Sequence, residues 1–197
     1  MTADVDRAQV RARLRLEPAE RLTRAGADAR AAAPDAAAVF DPVRVLAALH
    51  RRGVAFLVIG GLAGAAHGSP RPTFDLDVCY EHAGANLARL AEALRDVRAR
   101  PLGTEPGRPF ELTADRLAQE EHFDLATDAG DFDCTDWGTD AFRALSARAL
   151  SLTLEGVPVQ VVALEDLVRM KRRAGRPQDR RDLAILAAVR EELDRPL

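Results

Sequence analysis

Lysine is almost missing from this 197-residue chain: 27 of its 28 basic residues are arginine, and Lys171 is the one lysine. Cysteine is scarce too. Cys79 and Cys134 stand far apart, which excludes a disulfide framework and any Cys-x-x-Cys metal site, and both are expected as reduced thiols inside strands. No apolar run is long enough to cross a bilayer, and the opening Met-Thr-Ala-Asp-Val-Asp-Arg carries no apolar signal core. The expectation is a cytoplasmic protein with no membrane association. A net charge of −3 and a pI of about 5.8 remove the global basic field of a nucleic-acid binder, while leaving room for a local patch.

What is present is apolar bulk, alanine and arginine. At 47% hydrophobic residues the chain can bury one substantial core with a helical appendage, but hardly two enzyme-sized domains. Residues 1–40 read as a helical arm of two helices, with Val10, Leu14 and Leu16 as a sparse apolar stripe and Pro18 placed to begin the second helix. Residues 31–38 read as a connector or frayed helix end. Residues 41–197 read as the folded domain. The alanine and arginine excess suggests GC-rich coding bias, and against it the retained Lys171 invites a chemical role.

The domain begins with Asp41-Pro42, an N-cap followed by an N1 proline, and a helix that ends at Arg51-Arg52-Gly53. Phe56-Leu57-Val58-Ile59 then reads as a buried strand entering the tight turn Gly60-Gly61. Without a Cβ, these glycines let the backbone take positive φ and approach a ligand closely. The following Leu62–Ala66 segment can present helix N-terminal amides to an anion such as a triphosphate.

Thirteen residues later, Phe74-Asp75-Leu76-Asp77-Val78 alternates apolar with acidic residues. On a strand both carboxylates lie on one face with Cα atoms roughly 6.7 Å apart, a spacing suited to sharing divalent cations that prefer oxygen ligands. The plain alternative is the solvated face of an edge strand. The double glycine before it, and the stiff Ser69-Pro70-Arg71-Pro72-Thr73 link between, favour a site.

Gly84–Arg98 reads as an amphipathic helix, residues 101–109 as loop, and Thr113–Gln119 as a short helical turn. His122–Thr127 and Asp131–Asp136 then form a hairpin around Asp128-Ala129-Gly130, the second strand again carrying alternate carboxylates. Asp133 is the natural third carboxylate and Asp131 its competitor. A further hairpin surrounds Glu155-Gly156, and two helices separated by Gly175-Arg176-Pro177 close the chain. The whole is an α/β architecture: a mixed β-sheet flanked by helices.

His67 is expected to hydrogen-bond at a helix end rather than bind metal, and His50, His82 and His122 show no metal-ligand spacing. Lys171 offers a compact ammonium for a triphosphate, where arginine would favour bidentate clamping; the alternative is a solvated helix face. Ser69 and Arg71 are candidate donors to substrate, although Arg71 can equally pair with a surface acid. Arg176 can contact phosphate or pair with Asp179 or Asp182, which double as cap and salt-bridge residues.

At these residues the chain resembles the nucleotidyltransferase superfamily, whose signature is a Gly-Gly or Gly-Ser turn, an Asp-x-Asp strand and a later carboxylate strand. More narrowly, Gly60-Gly61-Leu62-Ala63, His67-Gly68-Ser69, Arg71-Pro72-Thr73 and Asp75-Leu76-Asp77 are similar to the bacterial abortive-infection and toxin–antitoxin nucleotidyltransferases of the AbiEii type. So are the later Met170-Lys171, Gly175-Arg176-Pro177 and Asp179-Arg180-Arg181-Asp182-Leu183. The likeness covers about residues 41–190 and leaves the arm outside the shared fold.

The resemblance implies Mg²⁺ or Mn²⁺ held by Asp75, Asp77 and Asp133. It also implies a nucleoside triphosphate, ATP among the candidates, admitted by Gly60 and Gly61 and contacted by Lys171. Attack of an acceptor hydroxyl at the α-phosphate would release pyrophosphate. The acceptor is left open among RNA (tRNA included), a partner protein and a small molecule, and the arm is a candidate surface for a partner or for homo-oligomers. The rival reading is a nucleotide-binding regulatory module of the same fold without turnover.

Overall fold

The computed structural model describes residues 5–32, 40–104 and 112–195. Nine helices and seven strands lie among them. The arm supplies α1 (Arg7–Leu14), started by Asp6, whose side chain accepts from the Ala8 and Gln9 amides, and α2 (Pro18–Ala32). Of the connector expected at residues 31–38, residues 31 and 32 close α2 and the rest fall outside the described residues.

The domain opens with α3 (Pro42–Arg51), where Asp41 accepts from Arg44 N as the sequence predicts, and β1 (Phe56–Val58). Then come α4 (Gly60–His67), β2 (Asp75–Tyr80) and α5 (Gly84–Asp96). A two-residue strand β3 (Arg100–Pro101) begins where the sequence suggested only loop; it exists by pairing Arg100 with Ala126 on a neighbour. Next follow α6 (Ala114–Gln119), capped by Thr113, and the hairpin β4 (His122–Thr127) and β5 (Gly130–Asp136). Helix α7 (Thr139–Ser146) was not foreseen; it starts after Gly138 at φ 74° and buries Phe142 and Leu145. The chain ends in β6 (Leu150–Leu154), β7 (Val157–Val161), α8 (Leu164–Ala174) and α9 (Pro177–Leu193).

The seven strands make one mixed sheet in the order β3-β4-β5-β2-β1-β7-β6. Strands β2 and β5 are parallel, as are β1 and β7, and the other neighbours are antiparallel. The β2–β5 pairing matters most for the site. A parallel pair needs a crossover, here the stretch through α5, α6 and β4, so residues distant in sequence come into register.

The core holds Leu57, Leu76, Val78, Leu90, Phe132 and Leu167, each no more than 1% exposed. Apolar strand residues therefore face inward on the positions between the acids, which fixes the acids to the other face. Burying one such leucine is worth roughly 2–3 kcal/mol. Both cysteines are buried free thiols, and burial pushes the Cys79 thiol up to about 12, so it stays protonated and inert.

The arm packs on the domain. Leu22, Ala25 and Ala29 of α2 join the core, and Leu14 sits against Gly68 at the end of α4. Arg21 ties the two together: its guanidinium donates to the Ala66 carbonyl at 2.8 Å, and to the carbonyls of Leu16 at 2.9 Å, Arg13 at 3.2 Å and Leu14 at 3.3 Å.

Candidate metal and nucleotide site

The β1-to-α4 junction forms the glycine turn. Gly60 lies at φ 61°, in the left-handed region, and starts α4. Ile59 occupies the N-cap position without a side-chain cap, which leaves the first amides of α4 without a partner from that residue; one of them, Gly61 N, donates to Asp77 Oδ2 at 3.3 Å. A Cβ on Gly60 would fall 1.7 Å from Asp77 Oδ2, and one on Gly61 would fall 2.1 Å from Thr73 Oγ1. Both positions therefore exclude a side chain.

Strand β2 carries Asp75 and Asp77 on one face, and parallel pairing sets Asp75 opposite Asp131 and Asp77 opposite Asp133. One carboxylate oxygen from each of Asp75, Asp77 and Asp133 lies within 4.8 Å of the others. Asp131 lines the same cleft but belongs to no such group among the described residues.

The electrostatics of Asp77 and Asp133 follow first from burial and then from neighbouring charge. Burial raises the Asp77 carboxyl to about 6, with the charge of Asp75 adding to it and the Gly61 amide, Lys171 and Arg176 opposing it. Burial and then the charges of Asp77, Asp124 and Asp75 raise Asp133 to about 7, with His122 opposing. Asp131 is also raised, first by burial and then by Asp75. Three carboxylates that repel one another, with oxygens at this spacing, fit hard divalent cations with oxygen ligands, such as Mg²⁺ or Mn²⁺.

Opposite the acids, α8 and α9 supply the cations. Lys171, its side chain 9% exposed, donates to Asp182 Oδ2 at 2.6 Å and to Asp179 Oδ1 at 3.3 Å. An ammonium has three N–H bonds, so one remains for a further acceptor. Asp182 also pairs with Arg71, which joins the Pro70–Pro72 link to α9. Arg176 donates through Nε to Asp179 Oδ2 at 3.0 Å, and the same carboxylate accepts the Arg176 amide, capping α9.

A cleft of about 400 Å³ is bordered by every residue singled out in the sequence as a site candidate except Ser69. Ser69 lines a cavity of about 30 Å³ behind Gly61, where its Oγ accepts from Arg71 N at 3.3 Å and so serves the loop.

Linear spacing missed three things. Thr73 Oγ1 donates to Asp75 Oδ1 at 2.8 Å. Asp182 links two of the cations. His122, which shows no metal-ligand spacing along the chain, is brought by the β4–β5 pairing to Asp124 and Asp133, with ligand atoms of all three within 4.8 Å of one another. Its ring binds Asp124 Oδ1 at 2.7 Å and Thr135 Oγ1 at 2.8 Å. The signal was the mirrored His-Phe-Asp and Asp-Phe-Asp about the turn. His67, as expected, serves structure: its Nε2–H donates to the Val162 carbonyl at 2.7 Å, and burial lowers its pKa.

No family model and no curated protein matches the sequence. Solved structures do match. The solution structure of the antibiotic-resistance factor ANT(2'')-Ia aligns with a TM-score of 0.50 at 16% identity, covering 76% of this chain and 80% of that one. A crystal structure of the same factor in complex with adenylyl-2''-tobramycin aligns at 0.46 and 16% identity, over 76% and 95% of the two chains. An antigenic nucleotidyltransferase-like protein from Paracoccidioides brasiliensis aligns at 0.47 and 16%, over 75% and 73%. At such identity the likeness speaks for architecture: the seven-stranded mixed sheet with its flanking helices is a nucleotidyltransferase-like fold.

Proposed function

We propose that this chain is a metal-dependent nucleotidyltransferase that moves a nucleoside monophosphate from a nucleoside triphosphate to an acceptor hydroxyl. The observation that carries the reading is the convergence of Asp75, Asp77 and Asp133 within 4.8 Å beside the Gly60–Gly61 turn, on a fold of this kind.

Asp75, Asp77 and Asp133 hold the divalent cations, which when bound neutralise phosphate charge and orient the reacting oxygens. The Gly60–Gly61 turn and the first amides of α4 receive the β- and γ-phosphates. Lys171 and Arg71, held in place by Asp182, and Arg176, held by Asp179, face the same phosphates with donors not spent on those acids. The acceptor oxygen attacks the α-phosphorus, the bond to the bridging oxygen breaks, and pyrophosphate leaves. The hydroxyl proton passes to the Asp133 carboxylate.

The motif pattern favours the AbiEii-type abortive-infection and toxin–antitoxin group, with tRNA or a partner protein as acceptor. The decisive experiment supplies each α-labelled nucleoside triphosphate with Mg²⁺ to the protein and fractionated cellular RNA, protein and small molecules. Label transferred to one fraction, and lost with Asp77→Ala, supports the reading and identifies the acceptor class. Label that persists with Asp77→Ala removes the carboxylate assignment. Nucleotide binding without transfer to any fraction favours the regulatory module.

A further inference from the structure

We infer that the Thr73 hydroxyl is a positioning group for Asp75, through which the glycine turn sets the geometry of the metal-binding carboxylates; the inference rests on the metal reading above. Thr73 is 7% exposed and lies just before β2. A hydroxyl so buried needs a partner, and its one O–H goes to Asp75 Oδ1 at 2.8 Å. That bond restricts the rotation of the Asp75 carboxylate.

The other side of Thr73 meets the turn. A Cβ on Gly61 would lie 2.1 Å from Thr73 Oγ1 and 2.7 Å from its Cβ, so the threonine side chain fills the space that glycine leaves. Gly60 receives Asp77 in the same way. Each glycine therefore seats one side chain of the acidic segment: Asp77 directly, and Asp75 through Thr73. Threonine is suited to the task because its branched Cβ restricts rotation about χ1, so contact with Gly61 and the bond to Asp75 are made by one stiff group. The cleft and the small cavity behind Gly61 both border Thr73.

The test measures Mn²⁺ affinity of the full chain without nucleotide, by calorimetry and by the spin-resonance signal of free Mn²⁺, alongside thermal melting. Thr73→Val keeps the shape and removes the O–H; Mn²⁺ affinity should fall about 10-fold or more, as for other groups that orient metal ligands. Thr73→Ser keeps the O–H and should bind Mn²⁺ close to wild type. If Thr73→Val does not fold, Thr73→Ala, which removes the same O–H without added bulk, carries the same expectation. Unchanged Mn²⁺ affinity without the hydroxyl, or a loss in Thr73→Ser as large as in Thr73→Val, overturns the inference. Asp77→Asn separates the two levels. Mn²⁺ binding unaffected by Asp77→Asn overturns the metal reading and this inference with it. Binding lost with Asp77→Asn but retained in Thr73→Val overturns this inference alone.

Discussion

Asp77 occupies the space in which Gly60 would carry a side chain: a Cβ built on Gly60 meets Asp77 Oδ2 at 1.7 Å and its Cγ at 2.3 Å. The turn and the carboxylate are one unit. Gly60→Ala adds a residue at φ 61°, at a cost of roughly 1–2 kcal/mol, and drives Asp77 out of place. Displacing a reacting-centre ligand by about 1 Å should lower transfer activity about 100-fold. Parallel measurement of melting temperature and Mn²⁺ affinity checks this: affinity should fall far more than stability.

The raised carboxyls predict how the metal-free protein responds to pH. Asp77 and Asp133 hold protons up to about 6 and about 7 in the folded state but release them near the ordinary carboxyl value of 3.8 when unfolded. Their contribution to stability is therefore fully present below about 4 and is lost as pH rises through 6 and 7. In EDTA the wild type should lose more stability between pH 5 and pH 8 than the Asp77→Asn/Asp133→Asn double variant does, and Mg²⁺ should restore the difference in the wild type. Mg²⁺ affinity should rise with pH up to about 7 and then level, with protons released on binding at pH 6. Calorimetry in buffers of different ionisation enthalpy measures that release.

Lys171 neutralises Asp179, which is fully buried, and Asp182. Lys171→Met leaves two acids short of one cation and should cost about 3 kcal/mol in urea unfolding. Adding Asp182→Asn should recover part of that loss without recovering nucleotide affinity. Lys171→Arg should not restore wild-type function, because a planar fork does not replace a compact ammonium lodged between two carboxylates.

Arg21 serves four carbonyls on the arm and α4. Arg21→Met removes those donors from a partly buried place and should lower stability by about 2 kcal/mol. Hydrogen exchange checks where: protection should fall at α1 and at the end of α4 before it falls in β2.

The acidic strand was legible because its chemistry repeats every two residues, the period of a strand; Leu76 and Val78 had to be inside, so Asp75 and Asp77 had to share the other face. That Asp133 rather than Asp131 has an oxygen close to those of Asp75 and Asp77 was not legible in the same way. It depends on how the trio's oxygens converge, once β5 pairs with β2 at the register Asp77 to Asp133. Lys171 was conspicuous by its rarity, but its partners lie 8 and 11 positions onward, past the left-handed Gly175, and only the angle between α8 and α9 brings them back. Strand β3 and helix α7 were illegible for a different reason. Two paired residues and eight helical ones carry too little periodicity to stand out before their neighbours exist.

The parallel pairing of β2 with β5 also dictates when the three acids can come together. Local contacts form early in folding, whereas a pairing across more than 50 residues waits on the closure of a long loop. The glycine turn and Asp75-Leu76-Asp77 emerge from the ribosome well before Asp133, and Lys171 with its counterions emerges later still. A nascent or partly folded chain thus presents the turn, Arg71 and two acids without the third acid, Lys171 or Arg176, and the proposed site is complete only once nearly the whole domain has closed.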